Sequence, residues 1–135
     1  MHWLRWLSAP FMLALLAAPC QALTVAPGME VLSSLGQPLH GRVALSDLGD
    51  LNVDDIKASL GTDGDFHQAG VSNQTYYPTD LRFAVVMHPG GDAYIDVTTT
   101  QAINEPVLDF VLHVSWPHND RLNELTVLLD PPPRQ

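Results

Sequence analysis

The sequence predicts an all-β domain, an antiparallel immunoglobulin-like β-sandwich of about seven strands. Three observations support this fold class. Between residues 28 and 130, apolar residues alternate with polar ones at a period of two, which is typical of half-buried strands. Turn-forming Gly, Pro, Asn and Asp residues separate these segments at roughly the 8–12-residue spacing of such sandwiches. Helical periodicity of useful length is missing from this part of the sequence.

The clearest strands are predicted at 107–116 and 122–130, joined by a turn at 117–120 with the sequence Pro-His-Asn-Asp. The alternation places Asp109, Val111, His113 and Ser115 on the outer face of the first strand. Its predicted core face carries Leu108, Phe110, Leu112, Val114 and Trp116.

Earlier segments predict the remaining strands. A second hairpin is expected from 81–87 and 93–99, with the Pro-Gly-Gly-Asp sequence at 89–92 as its turn. Short strands are expected at 30–35 and 42–46, with a break at 36–38. A strand is also favoured at 56–60, and the alternative there is a helical turn opened by Asp54 and Asp55. The segment 65–70 is expected to form one helical turn or a loop.

The first residues read as a secretory signal peptide rather than as part of the domain. Arg5 precedes an apolar run at 6–18, and small residues follow up to Ala22. The run of about 13 residues is short compared with the roughly 20 needed to span a bilayer. We therefore expect a signal peptide at 1–22, a β-sandwich domain at 23–130 and a Pro-rich tail at 131–135. Lipidation of Cys20 is the alternative, and Pro19 before it disfavours that processing.

Charge limits the classes of partner. The chain has six basic and fifteen acidic residues, and Arg5 is the only one of these in the signal segment. The remainder therefore carries five basic against fifteen acidic residues, a formal net charge of −10. Such a balance disfavours binding to nucleic acid or anionic lipid. We expect a soluble, periplasmic protein with no membrane span after signal cleavage, and without Cys20 it would contain no disulfide.

Residues that could carry chemistry do not form a recognisable site. A metal centre needs at least three converging ligands, and among the histidines the best candidate set is His113, His118 and Asp109. The histidines do not have the close spacing of metal ligands, so we expect them at exposed or loop positions. No G-x-S-x-G motif occurs. We expect no catalytic residue, no metal and no cofactor, and so no enzyme; the alternative function is a soluble periplasmic carrier of a metal or small ligand.

Aromatic residues offer a candidate contact surface. Tyr76 and Tyr77 are adjacent, so they cannot both point inward from an extended segment, and one of them is a candidate for an exposed contact. Trp116 lies in the inward register of its strand and is expected to pack in the core.

One long segment resembles a known family. The sequence EPVLDFVLHVSWPHNDRLNELTVLLDPP at 105–132 is similar to the closing hairpin of the periplasmic N-terminal domain of the FimV/TspA family. Two further stretches also resemble this family: LGQPL at 35–39, followed by residues 41–45, and YPTDLRF at 77–83. The resemblance extends over essentially all of residues 23–132.

The resemblance implies a noncatalytic scaffold that binds other envelope proteins during assembly of the type IV pilus or secretion machinery. Secretin and pilus-alignment components are the candidate partners. In the family, a Pro-rich linker, a peptidoglycan-binding LysM module, a membrane helix and a cytoplasmic tetratricopeptide region follow the domain. Those parts do not appear in this sequence, so peptidoglycan binding is not expected of it, and a stand-alone module and a truncated longer protein both stay open. Candidate interaction or architectural positions are Gln37, Pro38, Tyr76, Tyr77, Asp80, Asp109 and Trp116.

Overall fold

Eight strands form two antiparallel sheets in the computed structural model, which describes residues 23–71, 77–89 and 92–132. Sheet A contains β1 (Thr24–Val25), β2 (Glu30–Val31), β3 (Pro38–Ser46), β5 (Arg82–Met87) and β6 (Ala93–Ala102). Sheet B contains β4 (Lys57–Leu60), β7 (Val107–Trp116) and β8 (Asn119–Leu128). The described helical elements are a 3₁₀ turn at Val53–Asp55 and the α-helix α1 at Asp63–Gln68.

The strand order is that of a constant-type immunoglobulin domain. Sheet A runs β1–β3–β6–β5, with β2 also paired to β3, and sheet B runs β4–β7–β8. Because β1 and β2 pair with two parts of the same neighbour, they are one edge strand interrupted in the middle. The predicted immunoglobulin-like sandwich of about seven strands is therefore confirmed, with its first strand divided.

The core lies between the inner faces of the two sheets, as the alternation predicts. Leu108, Phe110, Leu112 and Val114 of β7 are fully buried. From the other sheet, Phe83 on β5 meets Phe110, with the ring centroids 6.4 Å apart and the rings tilted. Trp116, at the end of β7, is partly buried against the same core.

Val111 departs from the simple pattern, because it is fully buried on the outer face of β7. The segment between β4 and α1 covers it. The Gly61 N–H donates to the Val111 carbonyl at 2.8 Å, and a Cβ at Gly61 would lie 3.1 Å from Val111 Cγ1. Sequence alternation alone could not show that a loop returns over this face.

The closing hairpin is tighter than predicted. Trp116 pairs with Asn119, so β8 begins at Asn119 rather than at residue 122 and the predicted turn at 117–120 is wrong. The connection is only Pro117 and His118. His118 adopts a left-handed backbone angle (φ 68°), which allows the chain to reverse within two residues.

Other boundaries shift for identifiable reasons. The predicted strand at 30–35 shortens to β2, and β3 begins at Pro38, eight residues before its end at Ser46. Pro38 is tolerated because its missing N–H lies at the first position of the strand.

The helix α1 begins at Asp63, two residues earlier than expected. Thr62 caps it: its Oγ1 accepts from the Asp65 N–H at 3.2 Å, and the Asp65 carboxylate accepts from the Thr62 N–H at 2.9 Å.

A buried threonine stabilises the irregular start of β3. The register between β3 and β6 shifts between Pro38 and His40. There the hydroxyl of Thr99 accepts a hydrogen bond from the Leu39 N–H at 2.8 Å and donates one to the Gln101 carbonyl at 2.9 Å. Backbone groups that the shift leaves without strand partners are thereby satisfied inside the protein.

Two of the three leucines of β8 test the assigned faces. Leu125 is 1% exposed in the core and Leu128 is 66% exposed on the outer face. We expect Leu125→Ala to lower the free energy of unfolding by about 2–5 kcal/mol, because it leaves a cavity. Leu128→Ala is the matched control and should change it by less than about 0.5 kcal/mol. Urea denaturation measures both, and equal effects would contradict the register of β8.

Candidate interaction surface

Outward-facing side chains of sheet A place a stacked arginine at its centre. Arg42 on β3 lies over the ring of Tyr94 on β6, with its guanidinium carbon 4.7 Å from the ring centroid. Such a cation–π contact contributes about 0.5–1 kcal/mol at an exposed site. The residue directly opposite Arg42 is Asp96, whose Oδ1 lies 2.8 Å from His40 Nε2. This carboxylate is therefore paired with the histidine, and the guanidinium of Arg42 lies over Tyr94 of the neighbouring strand instead.

Arg42 also contains a polar atom that the surrounding protein does not satisfy. Its Nε is buried, and among the described residues it has no hydrogen-bond partner. Within the same part of the chain, Arg42 has no carboxylate within 4.0 Å. A buried donor without a partner costs about 1–3 kcal/mol, so hydrogen bonding of Nε does not account for the position of Arg42.

The interruption of the edge strand creates a groove beside Arg42. Val25 pairs with Leu45 and Glu30 pairs with Arg42, so two more residues lie on the edge strand than on β3 between these pairs. The extra residues interrupt the regular pairing as a bulge does, and bulges often occur next to binding sites. Met29 fixes the bulge: its side chain packs so closely on Gly41 that a Cβ there would lie 2.6 Å from the Met29 Sδ.

This feature, the sheet A groove, has a volume of about 430 Å³. Its floor and walls include four small residues, Ala26, Gly28, Ala44 and Ala93. Polar and aromatic groups come from five others, Glu30, Arg42, His88, Asp92 and Tyr94. The ring of His88 lies edge-on to Tyr94 at 6.4 Å between centroids. The groove thus combines one arginine, two carboxylates and two rings above small side chains.

Gln37 and Pro38, singled out from the sequence, lie at a strand junction. The Gln37 side-chain oxygen accepts from the Ser34 N–H at 3.0 Å, and its carbonyl accepts from the Ile103 N–H at 3.0 Å. Pro38 opens β3 opposite Ala102. Both residues join the entry to β3 with the exit from β6.

Asp80 holds the same end of β6 from the other side. Its Oδ2 accepts from the Thr100 hydroxyl at 2.7 Å, from the Thr100 N–H at 2.8 Å and from the Gln101 N–H at 3.0 Å. These hydrogen bonds, first the one from the Thr100 hydroxyl, lower the pKa of Asp80 below its ordinary value of 3.8. The carboxylate therefore anchors the segment before β5 to β6.

The aromatic candidates contact the core. Tyr77 is partly buried and packs against Phe66 of α1, with ring centroids 5.1 Å apart. Trp116 packs at the hairpin end of β7. Tyr76 lies outside the described residues, so its predicted role stays a prediction.

Asp109 lies on the outer face of sheet B, in a carboxylate-rich strip. The Thr126 hydroxyl donates to its Oδ1 at 3.5 Å. Desolvation, and then the negative charge of Asp109, raise the pKa of Glu124 above its ordinary value of 4.5. Asp109 therefore lies on the sheet opposite to the Arg42 groove, and the sequence-derived candidates do not meet at one site.

The proposed metal ligands do not converge either. His113 Nε2 lies 3.0 Å from Asp120 Oδ2 across the β7–β8 hairpin, whereas His118 occupies the turn. Among the described residues, no three His, Cys, Asp or Glu side chains are grouped as a metal site would require. Within the same residues, no helix has the length and apolar character to cross a membrane.

The fold defines an immunoglobulin-like domain, and comparison with known proteins gives its family. The model of the FimV N-terminal domain, described as an Ig-like domain, matches residues 28–132. The chain belongs to this family, as the closing hairpin indicated.

Two curated relatives agree. The chain is 42% identical over 100 residues to the motility hub protein FimV of Pseudomonas aeruginosa strain PAO1, and equally to that of strain UCBPP-PA14. The match covers 74% of this chain but only 11% of each relative. This chain thus corresponds to a small part of those proteins.

Sequence reasoning missed the sheet A groove. Alternation places Arg42 and Tyr94 on outer faces, but only the β3–β6 register brings these residues, 52 positions apart, into contact. A short edge strand with Pro27 and Gly28 between two apolar segments was the available signal for a bulge.

Asp80 should contribute to stability in a pH-dependent way. Because its pKa is lower in the folded state, its ionised form stabilises the fold above the ordinary Asp value of 3.8, and this contribution is lost as pH falls through the lowered pKa. We expect Asp80→Ala to lower the Tm at pH 7, by an amount that shrinks in acid. Thermal melts followed by circular dichroism at several pH values measure this. Asp50→Ala, at an exposed loop position, is the control, and a loss independent of pH would contradict the assignment.

Glu124 should behave in the opposite sense. Its pKa is raised in the folded state, so its ionised form weakens the fold above pH 4.5. We expect Glu124→Gln to increase the free energy of unfolding at pH 7 by less than about 1 kcal/mol, since solvent screens exposed charges. The gain should disappear below the ordinary pKa. Urea denaturation at pH 7 and pH 3.5, compared with Glu105→Gln, tests this; a gain from Glu105→Gln of the same size and pH dependence would argue against repulsion by Asp109.

Proposed function

We propose that this chain is a noncatalytic periplasmic module that binds other envelope proteins during assembly of the type IV pilus or secretion machinery. The observation that carries the proposal is its membership of the FimV N-terminal domain family, together with 42% identity to a protein named as a motility hub. A hub acts by holding other proteins, and an immunoglobulin-like sandwich offers rigid faces and edges for that purpose.

The use of the polar side chains supports a binding role rather than a catalytic one. Asp80 and Thr99 make short hydrogen bonds to the backbone that join strand ends, and the Gln37 side chain accepts one from the loop residue Ser34. Among the described residues, Arg42 Nε is the one buried side-chain nitrogen or oxygen without a hydrogen-bond partner, and the Arg42 side chain lines an open groove. An arginine in this position can recognise a ligand without any chemical step.

A periplasmic location follows from the predicted signal peptide at residues 1–22. The acidic balance of the remaining chain, −10, disfavours nucleic acid and anionic membrane surfaces as partners. Envelope proteins, with secretin and pilus-alignment components as the first candidates, are the proposed partners.

In vivo crosslinking tests the proposed function. The full chain with a C-terminal tag is expressed in its own host, envelopes are treated with a crosslinker, and captured proteins are identified by mass spectrometry. We expect pilus or secretion-machinery components to be enriched over a control chain without residues 1–22, which should stay in the cytoplasm. A folded, exported protein that captures none of these components would overturn the proposal.

A further inference from the structure

We propose that the sheet A groove binds the carboxylate of an acidic residue in a peptide segment of a partner protein, with Arg42 as the anchoring residue. Carboxylate recognition is inferred from the groove itself. That the carboxylate belongs to a partner protein rests on the proposed function.

The first argument is the orientation of Arg42. Tyr94 lies under its guanidinium at 4.7 Å, so one face of the group is covered and its position is restricted. The donors of a guanidinium lie in its plane and point outwards from its edge, where a carboxylate accepts two parallel hydrogen bonds. Nε is shielded from solvent, so the two Nη groups of the guanidinium supply these donors.

The second argument is that the neighbouring carboxylates do not form ion pairs with Arg42. Asp96, the cross-strand neighbour of Arg42, is bound by His40 at 2.8 Å. Glu30 lies opposite Arg42 on the other side, yet no carboxylate of the described residues comes within 4.0 Å of the guanidinium. An external carboxylate therefore competes with no internal ion pair among these residues.

The third argument selects the kind of anion. Glu30 and Asp92 both line the groove and repel an approaching negative charge. A phosphate group at neutral pH carries up to two charges and a carboxylate carries one, so the repulsion disfavours phosphate more strongly. Of these two anions, the groove therefore favours the singly charged carboxylate that Arg42 can bind.

The fourth argument concerns the rest of the ligand. Around Arg42 the lining is formed by small side chains, Ala26, Gly28, Ala44 and Ala93, which leave room for a peptide backbone. A volume of about 430 Å³ lies within the range of about 300–1,000 Å³ found for ligand pockets. It accommodates an acidic side chain with its neighbouring residues.

Nuclear magnetic resonance tests the site with defined probes. The processed, isotope-labelled protein is titrated with the capped peptide acetyl-Ala-Glu-Ala-amide and with its Gln analogue. We expect saturable shifts of the Arg42 Nε–H and of the Ala44 and Tyr94 amides by the Glu peptide, with a Kd of roughly millimolar, as befits a single ion-pair contact. The Gln peptide should bind at least about tenfold more weakly.

Variants distinguish specific binding by Arg42 from a general effect of positive charge on this face of the sheet. Arg42→Ala should weaken binding of the Glu peptide at least about tenfold, which corresponds to about 1.4 kcal/mol. Arg82→Ala removes an exposed arginine from the same face of the sheet and should leave binding unchanged. Arg42→Lys keeps the charge without the planar fork and should bind with intermediate affinity, which keeps the test valid if Arg42→Ala fails to fold.

Several results would overturn the proposal: no saturable shifts, equal binding of the Glu and Gln peptides, undiminished binding by a folded Arg42→Ala, or tighter binding of inorganic phosphate. These outcomes are separate from a failure of the proposed function. That failure would appear as missing pilus or secretion components in the crosslinking experiment while the peptide titration still succeeded.

Discussion

Apolar contact between the inner faces of two sheets is the interaction on which this domain depends. The described residues include no cysteine, so no disulfide joins the sheets as it does in antibody domains. Instead, Phe110 of the central strand β7 is fully buried and meets Phe83 from the opposite sheet. Burial of a side chain of this size contributes about 1.5–3 kcal/mol. Among the described residues, twenty-one buried apolar side chains of different sizes form the core.

Because apolar contacts hold the sheets together, polar side chains can make hydrogen bonds at the strand ends and on the outer faces. Thr99, Gln37 and Asp80 satisfy backbone groups around the junction of β3 and β6, where the register is irregular. This fixes β3 and β6 relative to one another. Their fixed register is what places Arg42 over Tyr94 and leaves His40 to bind Asp96. The geometry of the groove is therefore a consequence of structural contacts elsewhere in the sheet.

Much of the fold could be predicted from the sequence because period-two alternation reports directly on burial. The strand β6 follows it closely, since Ala93, Ile95, Val97 and Thr99 are buried in alternation. Prediction failed where a distant segment decides the outcome. Val111 is buried by a segment from another part of the chain. The two-residue reversal of the hairpin was missed for a local reason, since it depends on a positive φ at His118 that few non-glycine residues adopt.

The candidate site was less predictable than the fold. Motif similarity drew attention to Gln37 and Asp80, whose hydrogen bonds show a part in holding strand ends. A binding groove, by contrast, depends on pair contacts between strands far apart in sequence and on a bulge in the edge strand. Neither feature can be predicted from composition or motif spacing. A single sequence therefore predicts the family and the architecture but not the binding face.

Site-specific photo-crosslinking in living cells tests the central claim, that this module binds partners through the outer face of sheet A. A photoreactive amino acid is placed at Ala44, exposed in the groove, or at Thr126, exposed on the outer face of sheet B. We predict a crosslinked envelope protein from position 44, with the captured peptide containing an acidic residue, and little or none from position 126. Crosslinks from position 126 alone would show that the binding face has been assigned to the wrong sheet.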